Sequence, residues 1–415
     1  MSTYGLDGVL PWAQARHVAA TSGRAQAGVD ARLDEAGGAI LSSDLITIQD
    51  DPASDSAAVD GFAVRGEGPW ILDTEVDVVT AGCAVAMQRG QSIPRHADSV
   101  IPVEMTVEEH RSDGRTVILA RDPLTGVPDE SARPELGSGI AEKGSISLAG
   151  HVLVPTGRSV SAAVLAIAAA AGHDEVRIVR PPVVGLLVLG GSLLDRGLPR
   201  NRRVRDALGP VIPTFVGALG ARGNPAVRAP DTEELLRTEI DDASVDVLIT
   251  TGSTAPGPDN HLRSVLRDLG ARWLVDGASV TPGAQMLLAK LPDGRFLVGL
   301  PGDPLAAMGA LITLVTPLLR TLRNDTVSPQ RRSAVLMDDV PPADYADDTG
   351  LVPVRLEVSA AATQARALPS GGPAGLQGWA TADAIAVIPP GAGLRGDVVG
   401  LLDLLGREDW PGWSE

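Results

Sequence analysis

The sequence predicts a multidomain protein of the α/β plus β class, on three observations. After residue 182, continuous apolar runs alternate with helical stretches, the rhythm of a mostly parallel sheet. On either side of that region, at 50–121 and 333–404, the chain breaks into short strand-like runs punctuated by Pro, Gly and Asp. The length, 415 residues with 44% apolar, calls for several cores rather than one.

Residues 10–20 read as a helix, and 31–48 are mixed. Residues 62–64, 70–79, 99–103 and 116–120 read as short strands of a small all-β module. The Ala-rich stretch 156–171 reads as a helix with Ser159 as N-cap and Gly172 as its stop. Residues 183–189 and 245–251 are apolar throughout or nearly so, as strands covered on both faces are. Helical stretches follow at 204–219 (despite Pro210 and Pro213), 232–240 and 262–269, the last ended by Gly270. Residues 295–300 read as another strand, leading into a long helix to about Arg323. Residues 324–330 look like a linker. The runs 333–337, 352–358 and 384–388 then read as strands of a second β module.

Composition narrows the partners. A net charge of −17 argues against a nucleic-acid coat or an anionic membrane surface, though a local basic pocket for a small anion stays open. Lys143 and Lys290 are the only lysines, so the basic charge is nearly all arginine, which grips oxyanions in bidentate fashion. Aromatics make up only 3%, so Ala, Val, Leu and Ile must build the cores. Cys83 is the only cysteine, which excludes an intrachain disulfide and a Cys-based zinc site. No secretory leader is expected at 1–20, and the apolar stretches 160–171 and 306–319 are short for a bilayer span. A cytoplasmic protein is the expectation.

Ligands of open parallel sheets sit beyond the carboxyl ends of the strands. Three small Gly-rich loops leave strands there: 190–192 (GGS), 252–257 (GSTAPG) and 301–304 (PGDP). Each lets a ligand approach backbone closely, and each is also an ordinary turn. Together they nominate Gly252, Ser253, Pro301, Gly302, Asp303 and Pro304 as ligand-binding residues. Phosphate-loop, dinucleotide, zincin and nucleophile-elbow signatures are absent, and the six histidines have no ligand spacing. Asp60-Gly61 is first of all a turn signal. The run Arg196, Arg200, Arg202, Arg203, Arg205 is either a solvated face or a loop that closes over an anion such as a phosphate; on the second reading Arg200 and Arg202 bind substrate.

These residues resemble a family. Residues 55–65 (DSAAVDGFAVR) are similar to the Asn-Ser-Ala-Met-Asp-Gly-Tyr-Ala segment of the molybdopterin molybdenumtransferases, the MoeA or gephyrin E-domain family. Gly90, Pro94, Ala97, Asp98, Pro102, Glu104 and Thr106 follow its next block. Residues 246–252 resemble the strand leading to its Thr-Thr-Gly-Gly loop, 300–304 its Leu-Pro-Gly-Asn-Pro loop, and 372–397 its C-terminal module. Where the family has Lys-Pro-Gly-Lys-Pro, this chain has Thr281-Pro282-Gly283-Ala284-Gln285; where it has Thr-Gly-Asp-Glu-Leu, this chain has Gly190-Gly191-Ser192-Leu193-Leu194.

The resemblance implies an elongated architecture. An α-rich unit comes from 1–48 and 145–180, and a β module is inserted at 49–144. A three-layer α/β, MogA-like molybdopterin-binding domain spans 181–325, and a C-terminal β-barrel-like domain 329–415. It implies a homodimer and a reaction on adenylylated molybdopterin and molybdate that releases AMP, with magnesium as the expected metal. Residue by residue, it implies Asp60 and Thr106 as catalytic and Asp231 and Asp259 as metal-holding. The departures also leave a second expectation open: a gephyrin-like scaffold that holds a partner protein's peptide tail.

Overall fold

The computed structural model describes residues 8–74, 77–257, 260–325, 332–341, 343, 345–358 and 362–405. The chain divides into two compact units, one made of 1–43, 156–161 and 177–415, the other of 44–155 and 162–176.

The first unit is organised by a mixed six-stranded sheet in the order Arg222–Ala229, Val183–Leu189, Val247–Thr251, Phe296–Leu300, Leu287–Lys290, Arg272–Asp276. The first four strands are parallel; the last two add antiparallel pairs. Side chains alternate across the sheet. Val184, Leu186, Val188 and Ile249 enter one core, which Val211–Ala218, Trp12–Ser22 and the long helix after residue 303 cover. Leu187, Leu189, Leu248 and Leu297 enter the other, beneath Glu233–Asp242 and Leu262–Asp268. This is the three-layer arrangement that apolar runs without polar alternation require.

Two local readings need correction, and a third, the long helix to about Arg323, holds with an internal π-turn. The helix expected from Ser159 begins at Ala162, because Ser159 bridges to Ile40 and Val160 exchanges backbone hydrogen bonds with Gly38 and Ala39. Strand-like pairing takes those backbone groups before a helix can. The helix expected over 204–219 is confined to Val211–Ala218, while Val204–Arg205 pairs with Leu193–Leu194. Pro213 is tolerated because its missing N–H falls in the first turn, where a helix has no acceptor for it. The long helix is α over Pro304–Ala310, widens to a π-turn over Leu311–Val315 and resumes over Thr316–Leu322, around Pro317. Pro304–Leu322 is the one described helix long and apolar enough to cross a membrane, and 72% of its apolar window is buried in the protein.

C-terminal to the sheet, Thr349–Val358, Thr363–Ala367, Arg332–Leu336, Val398–Leu402 and Ala384–Ile388 pair in turn and back to Thr349–Val358, closing a barrel. Ala334, Val354, Ala365 and Ala386 fill its interior. Ala278–Thr281 adds to its edge in parallel, with Val280 opposite Thr349 and Thr281 opposite Gly350. That pairing fixes the residues just before 282 against the barrel.

The second unit holds a sheet in the order Pro128–Asp129, Thr116–Arg121, Trp70–Asp73, Cys83–Met87, Gly61–Val64, Ser99–Pro102, with Thr106–His110 also paired to Thr116–Arg121. Phe62, Val64, Trp70 and Ile118 belong to one of its cores. Gly61 has a packing reason beyond the turn: a Cβ there would lie 2.0 Å from the Ile101 carbonyl oxygen.

Candidate functional site

The strands Val247–Thr251 and Phe296–Leu300 are neighbours and run parallel, so the loops that leave them emerge side by side. Residues 252–255 with Asn260, and 301–303 with Ala306, form two walls of a cleft of about 380 Å³; residues 280–285 form the third. Five nominated residues, Gly252, Ser253, Pro301, Gly302 and Asp303, therefore line one surface. Pro304 adjoins them as the first residue of the next helix. The Gly190 loop does not take part; it turns into the Leu193–Leu194 pairing.

Each wall has an identifiable support. Gly252 and Ser253 both have positive φ, 84° and 60°, a conformation glycine adopts at no steric cost. The Ser253 hydroxyl accepts from the Leu262 N–H at 3.3 Å, and the Asn260 amide donates to the Ala255 carbonyl at 2.8 Å. Arg263, 14% exposed, donates from Nε to the Thr254 carbonyl at 2.9 Å, pairs with Asp276 at 2.6 Å and stacks over Trp273. Asp303 caps its helix: Oδ1 accepts from the Ala306 N–H at 2.9 Å. Gly283 and Gly309 let the third wall touch that helix, since a Cβ on Gly309 would lie 2.0 Å from the Pro282 oxygen. The Thr281 hydroxyl donates to the Asp348 carboxylate at 2.8 Å.

The cleft is polar and nearly neutral. Its described lining contains Ser253, Thr254, Asn260, Thr281 and Gln285, has Asp303 as its one charged residue, and includes no lysine or arginine. Arg200 and Arg202 do not line it. They belong to an exposed turn in which Arg200 and Arg203 exchange backbone hydrogen bonds, and Arg202 has φ 61°. Two further arginines of that run, Arg203 and Arg205, donate to the Leu193 and Leu194 carbonyls.

Asp60 and Thr106 lie in the second unit and share one turn. Val103 N–H donates to the Asp60 carbonyl at 3.1 Å, and the Thr106 hydroxyl donates to the Val103 carbonyl at 2.8 Å. Asp60 is exposed, and its carboxylate accepts from the Arg89 N–H at 2.7 Å. Asp231 has a buried Oδ1 without a hydrogen-bond partner, and Asp259 lies outside the described residues. Among the described residues no group of three or more His, Cys, Asp or Glu could hold a metal ion. Asp206, a further acid in this region, is occupied: it accepts from the Leu208 and Gly209 N–H groups and pairs with Arg228 at 2.6 Å.

Residues 10–172 match the MoeA N-terminal region (domain I and II), and residues 185–321 match the probable molybdopterin binding domain. The chain is 27% identical over 334 residues to the molybdopterin molybdenumtransferase of Staphylococcus epidermidis, covering 75% of each, and 28% identical over 325 residues to that of Bacillus subtilis, covering 72% of each. Its fold is that of a solved molybdopterin biosynthesis MoeA protein from Pyrococcus horikoshii, with a TM-score of 0.73 at 24% identity over 98% of this chain and 100% of that one. With both family regions in order along the chain, the fold shared over nearly its whole length and the glycine-rich cleft inside the second region, the chain belongs to the MoeA family.

Proposed function

We propose that the chain serves molybdenum cofactor biosynthesis as a molybdopterin molybdenumtransferase, binding adenylylated molybdopterin in the cleft and releasing AMP as molybdate is taken up. The observation that supports this is the meeting of the 252–255, 281–285 and 301–303 segments at the carboxyl ends of parallel strands, inside the region that matches a molybdopterin binding domain. Neutral polar side chains and glycine-rich backbone suit the pterin and the nucleoside. They hold a doubly charged oxyanion poorly, because nothing in the described lining supplies positive charge. Removing one preorganised charged donor typically costs about 10² to 10³ in rate. Turnover is therefore slow, with Arg200 and Arg202, exposed and outside the described lining, proposed to supply cations. Asp60 and Thr106, which share a turn of the second unit, are proposed as catalytic residues. Magnesium does not fit the described residues: no three acids converge among them, and Asp303, the one described carboxylate in the cleft lining, already caps its helix.

The test is AMP release from adenylylated molybdopterin with and without molybdate, with and without magnesium, alongside calorimetry of AMP binding. Slow, molybdate-dependent release is expected. Measurable AMP binding without any release would favour a scaffold.

That second reading has an observation of its own. A groove of about 1010 Å³ opens on the barrel, lined by Tyr345, Ile388, Leu394 and several prolines, and its charged lining residues are all acidic: Asp338, Asp339 and Asp348. Its occupant is proposed as an apolar peptide tail bearing a basic side chain. We further place the protein in the cytoplasm and pair it with a second copy of itself. In the second unit, Ile46 (opposite Val152), Ile48 and Leu148 expose 41%, 56% and 64% of their surface, an apolar face suited to a partner. A dimer is the expected result of light scattering on the purified protein, and Ile48→Glu with Leu148→Glu should shift it to monomer without unfolding it.

A further inference from the structure

One wall of the cleft has the barrel behind it. Thr281 and Pro282 line both the cleft and the barrel groove, and Asp348 lines the groove directly behind them. The Asp348 residue is 4% exposed, and its Oδ2 accepts from the Thr281 hydroxyl at 2.8 Å. The contact is held in register by the backbone, because Thr281 pairs with Gly350 two residues further on. A carboxylate is thus carried by the barrel to the back of the cleft wall and kept there by both a side-chain bond and a strand pairing.

We propose that Asp348 is a specificity-determining positioning residue. Through Thr281 it fixes the 281–285 wall, and its charge behind that wall biases the cleft against free oxyanions and toward the neutral part of a nucleotide-bearing ligand. The proposal rests on the reading that this cleft is the ligand site. A second carboxylate points the same way: Asp303 is the only charge in the described lining, and it too is negative. A carboxylate screened from water acts over a longer distance than one at the surface, so it can bias a site it does not touch. The same geometry says what a cation introduced at 281 would meet. The Thr281 side chain already points at Asp348, so an ammonium there would pair with that carboxylate instead of serving an anion in the cleft.

The experiment is calorimetry with three probes, tungstate for the oxyanion, adenosine for the neutral part of the nucleotide and AMP for the whole nucleotide, on the wild type and on Asp348→Asn, Thr281→Met, Thr281→Lys and the double variant Thr281→Lys/Asp348→Asn. Asp348→Asn keeps an acceptor for the Thr281 hydroxyl and removes the charge. It should tighten tungstate about fivefold or more, with a gain that shrinks as salt is raised, and leave adenosine affinity unchanged. Thr281→Lys alone should gain no more than about threefold over Thr281→Met, whereas the double variant should gain about tenfold or more over the wild type. A purely structural role for Asp348 would move thermal stability and leave the salt-dependent tungstate gain absent, which overturns the proposal. Should Asp348→Asn not fold, Thr281→Lys still decides: a gain equal to about tenfold over Thr281→Met means that no carboxylate is intercepting the ammonium. Failure of AMP to bind the wild type sinks the reading of the cleft itself, and this inference with it. AMP binding with unmoved tungstate affinity sinks the inference alone.

Discussion

Replacing Gly309 with alanine is expected to cost the cleft its ligand. The added Cβ would lie 2.0 Å from the Pro282 carbonyl oxygen and 2.9 Å from its carbon, distances at which one of two backbone segments must move. Neither moves easily. Gly309 sits in Pro304–Ala310, which continues through a fully buried π-turn, and the residues before Pro282 are paired with the barrel strand. The contact is tight from the other side as well: a Cβ on Gly283 would meet the Ala306 oxygen at 2.8 Å. Overpacking of this kind costs about 1–3 kcal/mol of stability, and displacing a binding wall by about an ångström can cost on the order of 100-fold in function. Urea denaturation and AMP calorimetry on Gly309→Ala measure the two effects separately. The internal control is Gly217→Ala, also in a helix, where the new Cβ meets nothing within 4 Å and the protein should hold its stability or gain a few tenths of a kcal/mol. Wild-type AMP affinity in Gly309→Ala would mean that the 281–285 wall is not part of the binding surface.

The parts of this architecture that were legible in the sequence are those written in consecutive residues. The 183–189 and 247–251 strands announced themselves because burial on both faces leaves no polar alternation, and the cleft loops because Gly252 and Pro301-Gly302 directly follow the 247–251 and 296–300 strands. Arg272–Asp276 and Leu287–Lys290 were missed: each is short, and their antiparallel register is visible only once they pair with Phe296–Leu300 and each other. The site shows the same division. Gly252, Ser253, Pro301, Gly302 and Asp303 were found by local pattern. Arg263 and Asp348 were not, because neither belongs to any motif: Arg263 reaches the 252–257 loop from a following helix, and Asp348 reaches Thr281 from 67 residues away. The arginine run was legible as charge but not as geometry. Its guanidinium groups at 203 and 205 turn back on the Leu193 and Leu194 carbonyls of the strand paired in parallel with Val204–Arg205, a use that charge density cannot reveal.

Asp206→Ala should destabilise the protein by roughly 2–4 kcal/mol, because the carboxylate is a structural hub. Its side chain is 2% exposed and holds three donors at once: the Leu208 and Gly209 N–H groups at 3.0 and 2.8 Å, and Arg228 at 2.6 Å. Arg228 is 42% exposed, so the ion pair contributes the smaller share. The larger share comes from the two backbone N–H groups, which would be left in a buried turn without an acceptor. The fit around the carboxylate is close, since a Cβ on Gly209 would lie 2.3 Å from its Oδ2. The Asp206 N–H donates to the Leu194 carbonyl, so the same residue ties down the end of the Val204–Arg205 pairing. Asp206→Asn should recover part of the loss, because an amide oxygen can still accept from the turn while the pairing with Arg228 weakens. A carboxylate kept for a metal would behave in the opposite way: removing it relieves repulsion and leaves the denaturation midpoint unchanged or raised. A loss below about 1 kcal/mol for Asp206→Ala, with magnesium-dependent stability lost at the same time, would therefore make Asp206 a metal ligand rather than part of the scaffold.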